Sequence, residues 1–357
     1  ARGRPPPHSE RAFSRYHPAR MPAPAIVALV AFSAALLLTP LCRVLARRIN
    51  AVDSKSERGL GGSSPRIGGV AIALGAVAGV LTTAASRDAD VAIVLLLALP
   101  LALVGLVDDL RNVHPFFARI EAWPHWWAVK LFVQLVPASL AVLFAHLFRL
   151  QGFWLLVLGP VAVLFIASVT NAVNFMDGIN GIAGLEAVVA GGALSFMLIA
   201  RGDLDFGLLP LALACGAAGF LPYNLRSGSI YMGDFGATSI GFILGASVLR
   251  AISLGTHPIV ATLPLLPFLA DTGLTLLRRW RKGARLFSAH REHYYQRLTA
   301  RLGRGHAIVA LLWCAMAILC SVSAVAYDSG SAGIWITNVP VAIGIVVFLL
   351  IDRYAPA

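Results

Sequence analysis

The chain has 357 residues, of which 58% are hydrophobic and 13% are charged, against about 25% charged residues in soluble domains. These values exclude a soluble globular protein, a disordered chain and a fibrous one, because a single soluble core of this size cannot bury so much apolar surface. The bilayer is the solvent that accommodates it. The net charge of +12 indicates either an anionic partner or the basic loops of a membrane protein.

Apolar runs predict an all-α membrane protein with a bundle of about eleven transmembrane helices, or ten if one run is re-entrant. Each run has roughly 20 residues, the length that crosses the hydrocarbon core. The runs cover residues 25–46, 67–86, 91–107, 126–148, 153–173, 182–200, 206–223, 237–255, 258–277, 307–327 and 334–351. The predicted spans are almost free of charge, and Lys130 is the main exception. We therefore expect residues 21–357 to form a single transmembrane domain.

The distribution of Lys and Arg predicts the orientation. Alternate loops hold 19 of these residues on one side and four on the other. Because basic residues accumulate in cytoplasmic loops, we predict that the C-terminus and the polar loops are cytoplasmic and that the N-terminus is outside. Residues 1–20 contain five Arg and disagree with this rule. We hypothesise that translation starts at Met21 and expect the first twenty residues to be a disordered extension.

Unusual polar residues collect at the cytoplasmic helix ends rather than at the bilayer midplane. A glycine-rich basic loop, residues 54–69, contains Lys55, Arg58 and Arg66. Backbone N–H groups and a helix N-terminus in such a loop attract phosphate. The alternative is a flexible basic loop without a ligand.

Two acidic elements also lie at predicted membrane boundaries. The adjacent acids Asp108 and Asp109 follow one span, and they are suited to a divalent cation or to general-base catalysis. Asp234 stands between Gly233 and Gly236, close to Tyr231. A hard cation prefers a carboxylate ligand, and a base ring could stack on the tyrosine. A solvated helix end and an ordinary polar turn are the simpler alternatives.

A third polar element, residues 171–181, lies at a predicted helix break. Three Asn and one Asp within eleven residues are hard to explain by packing alone. Gly178 and Gly181 would let the backbone approach a ligand. We therefore predict that this element binds a ligand.

The last polar cluster is the basic loop between residues 278 and 304. His290 and His293 are three residues apart and would share a face on a helix. They could bind zinc, but further ligands are not evident, and the surrounding arginines favour pyrophosphate. A solvated basic loop is again the alternative. Together the clusters predict magnesium, a phosphorylated substrate and a lipid partner, which indicates phosphoryl transfer.

The order of five elements identifies a family resemblance. Pro65 to Gly69, the Asp108–Asp109 pair, the Asn-x-x-Asn-x-x-Asp-Gly-x-x-Gly element from Asn171, the Met-Gly-Asp-x-Gly element from Met232 and a His-containing loop follow one another. In this order the chain resembles the polyprenyl-phosphate N-acetylhexosamine-1-phosphate transferases, glycosyltransferase family 4. The resemblance covers nearly the whole chain.

The resemblance implies transfer of a sugar 1-phosphate from a UDP-N-acetyl sugar to undecaprenyl phosphate in the bacterial inner membrane, with Mg²⁺, or Mn²⁺ in its place. Asp108 and Asp109 would deprotonate the lipid phosphate or act in catalysis, Asp177 would be catalytic, and Asp234 and Asn174 would bind the metal. The residues expected to bind substrate are Lys55, Arg58, Arg66, Asn171, Asn174, Asn180, Asn224, Tyr231, His290, Arg291, His293 and Arg297. We expect no nucleic-acid partner and leave a homodimer open.

Departures from the family pattern bear on the substrate. Asn180 stands where Asp is common, and Gly59 to Gly62 replace the usual His after the arginine that matches Arg58. The run from His290 to Arg297 looks more like the branch that starts O-antigen or other surface polysaccharides than the phospho-N-acetylmuramoyl-pentapeptide transferases of peptidoglycan synthesis. The latter activity stays an alternative.

Two other classes remain open at this point. A transporter of an anionic metabolite would explain the helices and the basic loops, although inverted repeats are not visible. A membrane phosphotransferase of the CDP-alcohol type would also use carboxylates and Mg²⁺. Its Asp-Gly-x-x-Ala-Arg signature is absent, because Asp177-Gly178 continues as Ile179-Asn180-Gly181.

Overall fold

A computed structural model describes residues 22–49, 51–53, 64–111, 115–123, 125–144, 153–225, 229–284, 290–303 and 306–355. The predicted extension 1–20 and the predicted site residues Lys55 and Arg58 lie outside these ranges. The described chain is a bundle of helices, which confirms the predicted fold class. The helices are α1 (Ala23–Arg48), α2 (Gly68–Leu81), α3 (Ala89–Asp109), α4 (Pro115–Glu121), α5 (Trp126–Phe144), α6 (Phe153–Met176), α7 (Ile182–Ala200), α8 (Leu204–Asn224), α9 (Gly233–Ser253), α10 (Pro258–Thr262), α11 (Leu266–Arg281), α12 (Tyr294–Arg301), α13 (His306–Asp328) and α14 (Asn338–Tyr354).

Ten helical segments in the described ranges are long and apolar enough to cross a membrane, so the protein is a multi-pass membrane protein. The helix α2 is shorter, with 14 residues and a length of about 21 Å. It begins beside α9, where Gly68 N–H donates to Tyr231 O. A 3-10 turn, Ala84–Arg87, continues it and leads directly into α3, which returns to the start of α9. The predicted run 67–86 therefore consists of the short helix α2 and this turn, and it is not among the ten helices of spanning length.

Proline divides one predicted span into three pieces. The predicted run 258–277 consists of α10, a 3-10 turn at Leu263–Leu265, and α11. Pro264 and Pro267 lack the N–H group that a continuous helix requires, which explains the break. The break frees α11 to follow its own direction towards the polar loop.

The helix α9 lies at the centre of the bundle. Its apolar window is 83% buried, whereas those of α1 and α14 are 28% and 22% buried. Small residues allow this close packing: a Cβ atom at Gly241 would lie 2.6 Å from Thr170 Cα of α6. Because lipid is as apolar as leucine, such small-residue contacts rather than hydrophobic burial hold membrane helices together.

The two ends of α9 are held by different kinds of contact. At its C-terminal end, Arg250 Nη1 donates to Asp90 Oδ2 of α3 at 2.9 Å, and Arg250 Nε donates to Asp203 Oδ2, before α8, at 2.6 Å. At its N-terminal end, the preceding segment joins a short antiparallel pair formed by β1 (Val52–Asp53) and β2 (Ser64–Pro65). There Tyr231 N–H donates to Pro65 O at 2.7 Å.

Candidate functional site

The acid Asp108 is held at the end of α3 by two side chains of α5. Trp126 Nε1 donates a hydrogen bond of 2.9 Å to Asp108 Oδ1, and Lys130 Nζ forms an ion pair with Oδ2. Trp126 and Lys130 are four residues apart on one helix and therefore share a face. The carboxyl group is buried, and Lys130 is partly exposed beside it. The pair offers one proton acceptor and one cation at the same point of the surface.

The neighbouring acid Asp109 caps the N-terminus of α9. Its Oδ1 accepts from Asp234 N–H and its Oδ2 from Phe235 N–H, both at 3.0 Å, and Arg66 Nε lies 3.8 Å from Oδ1. An anionic group at a helix N-terminus is stabilised by the helix dipole and by the free N–H groups. Asp109 therefore fixes the position of Asp234. Its predicted catalytic role stays a prediction, because both carboxylate oxygens already accept these backbone donors.

Glycines allow α2, α3 and α9 to meet at this point without intervening side chains. Gly233 has a φ of +80°, which favours glycine, and a Cβ there would lie 2.5 Å from an oxygen of Asp109. A Cβ at Gly105 would lie 2.5 Å from the carbonyl carbon of Asp234, and one at Gly69 would overlap Gly236. Glycines from three sequence motifs thus allow the close contact between α2, α3 and the start of α9.

The side chain of Asp234 is available for a ligand. It is half-buried, and its carboxylate accepts no hydrogen bond and forms no ion pair within the described ranges. It repels Asp108 and Asp109 electrostatically, and a divalent cation would offset that repulsion. No group of three His, Cys, Asp or Glu side chains among the described residues is arranged to hold a metal. Mg²⁺ commonly uses one or two carboxylates plus substrate phosphates and water, so a single available carboxylate fits it.

The asparagines of the 171–181 element have different partners. Asn171 and Gln134 of α5 exchange two amide hydrogen bonds, of 2.7 and 3.2 Å, and Asn171 Nδ2 also donates to Ala167 O. These contacts join α5 and α6 and explain Asn171 by helix packing. Asn174 is half-buried one turn further on, and its predicted metal-binding role stays a prediction.

Asn224 connects the 171–181 element to the segment before Asp234. Its Oδ1 accepts from Gly181 N–H at 2.7 Å, and its Nδ2 donates to Ile230 O at 3.0 Å. Asp177 and Asn180 of the same element are buried, and Asn180 Oδ1 has no hydrogen-bond partner in the described part of the chain. The structure thus places the third and fourth sequence motifs side by side.

Asp271 organises the histidine loop. This fully buried acid accepts from Tyr294 N–H and Tyr295 N–H at 3.0 Å each, and its Oδ1 lies 3.1 Å from His293 Nδ1. It therefore caps α12 and fixes the imidazole ring of His293 at the same time. Because a hydrogen bond to Nδ1 leaves the other ring nitrogen available, this contact also orients the histidine for a substrate.

His290 and His293 are close together, but not on a helix. Residues 290–293 precede α12, so the two histidines do not share a helix face. Their rings nevertheless stack with centroids 5.0 Å apart. Burial lowers the pKa of His290 to about 4, with smaller effects from His293 and Arg279 in the same direction. His290 is therefore neutral at physiological pH and would contact an anion through an N–H group.

Tyr295 joins the histidine loop to the 171–181 element. Its hydroxyl group donates to Phe175 O at 2.9 Å, and the ring of Phe175 lies 5.9 Å from that of His293. A Cβ at Gly178 would overlap the Tyr295 hydroxyl group. The absence of a side chain at Gly178 thus makes room for Tyr295 of α12. The predicted close approach of a ligand to Gly178 stays a prediction.

Two of the residues predicted to bind substrate, Arg297 and Tyr231, are buried among protein atoms. Arg297 is buried and donates to Ala355 O at 2.8 Å and to Asp352 Oδ1 at 2.9 Å, which attaches the C-terminal end of α14. Tyr231 is 3% exposed. Stacking of a base on its ring would require movement of the surrounding side chains. Arg291, by contrast with these two residues, is exposed. Their predicted roles stay predictions.

Three contributors to the site are absent from the predicted set. Lys130 is visible in the sequence as a charge within a span, but its partner Asp108 lies 22 residues earlier in the chain. Trp126 looks like any interfacial aromatic residue. Asp271 is the one of the three that the sequence indicates most clearly, since an acid within an apolar run is costly unless it has partners.

The chain is similar to known transferases that act on polyprenyl phosphates. Residues 91–252 match the model of glycosyl transferase family 4. A Bacillus subtilis (strain 168) protein named probable undecaprenyl-phosphate N-acetylglucosaminyl 1-phosphate transferase is 26% identical over 87% of this chain and 86% of its own length. A Mycolicibacterium smegmatis decaprenyl-phosphate N-acetylglucosaminephosphotransferase is 28% identical over 91% and 88% of the two chains. A Streptococcus gordonii phospho-N-acetylmuramoyl-pentapeptide-transferase is 26% identical over 71% and 80%.

The fold and these matches define a class: a multi-pass membrane protein with acidic residues collected at helix ends. The segment that matches the glycosyl transferase family 4 model contains Asp108, Asp109, Asp177 and Asp234. The resemblance inferred from the motifs is therefore confirmed.

Proposed function

We propose that the protein is a membrane phosphotransferase that transfers an N-acetylhexosamine 1-phosphate from a UDP-sugar to undecaprenyl phosphate. The convergence of Asp108, Asp109 and Asp234 from two helices, beside Lys130 and Arg66, carries this proposal. Positioning and charge neutralisation dominate phosphoryl transfer, and this cluster supplies both signs of charge. The names of the relatives specify the same class of transfer.

In the proposed reaction, an oxygen of the lipid phosphate attacks the β-phosphorus of the UDP-sugar. The bond from that phosphorus to the bridging oxygen breaks, so that UMP leaves and undecaprenyl-diphosphate sugar forms. Asp108 accepts the proton of the lipid phosphate, and Lys130 offsets the negative charge of the two phosphates. Asp109 acts by holding Asp234 at the N-terminus of α9.

The remaining polar residues surround the donor. Asp177 and Asn174 position the diphosphate, and the histidine loop contacts the sugar or the diphosphate through His293 and the exposed Arg291. Asp234 would hold Mg²⁺, or Mn²⁺ in its place, together with substrate oxygens. When bound, the cation would neutralise the diphosphate and the departing UMP.

The biological setting is part of the proposal. The distribution of Lys and Arg between alternate loops supports an orientation with the N-terminus outside and the site facing the cytoplasm. The bacterial relatives support a bacterial inner membrane. The sequence from His290 to Arg297 supports initiation of O-antigen or another surface polysaccharide. The muramoyl-pentapeptide substrate is the alternative donor for the same reaction.

The test is UMP release by purified protein across a panel of UDP-sugars, with and without undecaprenyl phosphate and Mg²⁺. We expect release only when all three components are present, and the donor that supports it identifies the sugar. Release without the lipid would indicate a hydrolase. No release by folded, monodisperse protein with any donor would refute the proposal, and transport of an anion across sealed vesicles would then be measured.

A further inference from the structure

A cavity lies between α11, α13 and α14, outside the cluster of acids. Its volume is about 540 Å³, within the range of about 300–1,000 Å³ typical of ligand sites. Its walls are apolar and include Leu274, Leu277, Met316, Ile345 and Phe348. Ile345 is 55% exposed, so the cavity opens on the outer surface of the bundle as a groove. We call it the α11–α14 groove.

One end of the α11–α14 groove is basic. Arg278, Arg281 and Lys282 line it together with a single carboxylate, Asp352. Arg281 and Lys282 are exposed and form no hydrogen bond or ion pair within the described ranges. This end therefore favours a negatively charged group, and the rest of the groove favours hydrocarbon.

Arg278 has an unused donor at the basic end. Its Nη2 donates to Asp352 Oδ1 at 2.6 Å and to the Tyr294 hydroxyl group. Its Nη1 is buried and has no hydrogen-bond partner among the described residues. A buried donor without a partner is costly. A rotation of the partly exposed guanidinium group would present this donor to a phosphate oxygen at the basic end of the groove.

The length of the α11–α14 groove matches one leaflet. From Leu266 to Arg278 the lining follows α11 for about 18 Å, at 1.5 Å per residue. Half of the hydrocarbon core is about 15 Å. All the charged residues of the lining lie at the end of α11 that leads into the histidine loop. The groove therefore has the shape and polarity of a lipid with its headgroup at the same level as the acidic cluster.

We propose that the α11–α14 groove binds a phospholipid of the bilayer with an anionic, phosphate-bearing headgroup. A reacting lipid phosphate must reach Asp108, at the end of α3. The residues that line the groove belong to α11–α14, and none of them belongs to α3, α5 or α9, which carry Asp108, Lys130 and Asp234. The proposed occupant is therefore a lipid other than the reacting acceptor.

The same contacts couple the groove to the histidine loop. Arg278 binds the Tyr294 hydroxyl group, and Tyr294 N–H donates to Asp271. The neighbouring Tyr295 donates to Phe175 O in the 171–181 element. A headgroup that holds Arg278 in place would therefore also stabilise α12 beside the site.

The test measures lipid binding directly and does not depend on activity. The full chain is titrated with phosphatidylglycerol and, separately, with neutral phosphatidylcholine, and bound lipid is counted by native mass spectrometry. The first variant is Arg281→Gln/Lys282→Gln. The second is Gly344→Phe, which fills the groove from a position where a Cβ meets open space. The matched control is Arg47→Gln/Arg48→Gln, because these two exposed cations also end a spanning helix.

We expect phosphatidylglycerol to bind the control as it binds the wild type, and to bind the double variant on the order of tenfold more weakly. Gly344→Phe should weaken both lipids. Equal affinity of all folded variants for phosphatidylglycerol would overturn the proposal. Displacement of phosphatidylglycerol by an equimolar amount of undecaprenyl phosphate, with the same sensitivity to Arg281 and Lys282, would also overturn it and assign the groove to the acceptor.

Discussion

The substitution Asp271→Asn tests how the histidine loop is held. Asp271 accepts hydrogen bonds from two backbone N–H groups, of Tyr294 and Tyr295, and contacts His293 Nδ1. Asparagine keeps one acceptor oxygen but places an NH₂ group against a remaining donor and removes the negative charge. The variant therefore loses at least one charge-assisted hydrogen bond and leaves one buried donor without a partner.

The size of the effect follows from those two losses. A hydrogen bond to a charged group contributes about 1.5–3 kcal/mol, and an unsatisfied buried donor costs about 1–3 kcal/mol. We expect the docking of α12 to weaken by about 3 kcal/mol, which corresponds to a roughly 100-fold larger population of the locally open state. Hydrogen–deuterium exchange of peptides from residues 293–301 measures this opening, and UMP release measures the loss of activity.

The matched control is Asp328→Asn. Asp328 is a buried acid bound by Arg201, which donates to its Oδ1 at 2.6 Å, and this pair joins the ends of α7 and α13 away from the histidine loop. The control should lower thermal stability without changing exchange in residues 293–301. Unchanged exchange in Asp271→Asn would refute the positioning role, and loss of activity alone would then mean that Asp271 contacts the substrate.

The remaining predictions concern three parts of the site. Asp234→Asn should lower UMP release about 100-fold or more and leave the melting temperature unchanged. Asp109→Asn should lower UMP release and also cost about 2 kcal/mol of stability, because only Asp109 caps α9. Equal melting temperatures of the two variants would contradict this. Gly178→Ala should displace α12, because the new Cβ would overlap the Tyr295 hydroxyl oxygen and lie 2.8 Å from Cζ. The addition of Tyr295→Phe removes the shorter of these contacts and should restore part of the activity. A double variant no better than Gly178→Ala would refute the contact. The pKa of His290 is about 4 in the folded protein and near 6.5 when unfolded, so the unfolded chain takes up the proton first. The contribution of neutral His290 to the free energy of unfolding is therefore fully present above about pH 6.5 and is lost as the pH drops towards 4. Melting curves recorded against pH should show this loss of stability, and His290→Gln should remove part of the pH dependence.

The sequence predicts the place of most spanning helices because apolar length is a direct requirement of the bilayer. It also predicts that polar residues of distant motifs meet, and the structure joins Asn224 to Gly181 and Asp109 to the start of α9. It does not predict which partner each residue takes. Asn171 and Arg297 have the residue types of a binding site, but contacts between helices occupy them.

The missed residues have a common cause. Lys130 and Trp126 matter because α5 places them against Asp108, and nothing local in the sequence indicates which helices are neighbours. Pro264 and Pro267 are visible in the sequence, yet their effect on the predicted span 258–277 depends on the packing around them. Motif order thus identifies the class of site, whereas tertiary contacts decide the role of each side chain.

The attachment of α3 to α9 at both ends has a consequence for how the acids behave before any substrate arrives. Asp90 in the first turn of α3 binds Arg250, and Asp109 in its last turn caps α9, so neither helix can slide or rotate past the other without breaking both contacts. The spacing between Asp108 and Asp234 is then a fixed dimension of the scaffold. We expect adaptation to different sugars to come from the histidine loop, which side chains alone hold in place, while the acidic half keeps one geometry throughout the reaction cycle.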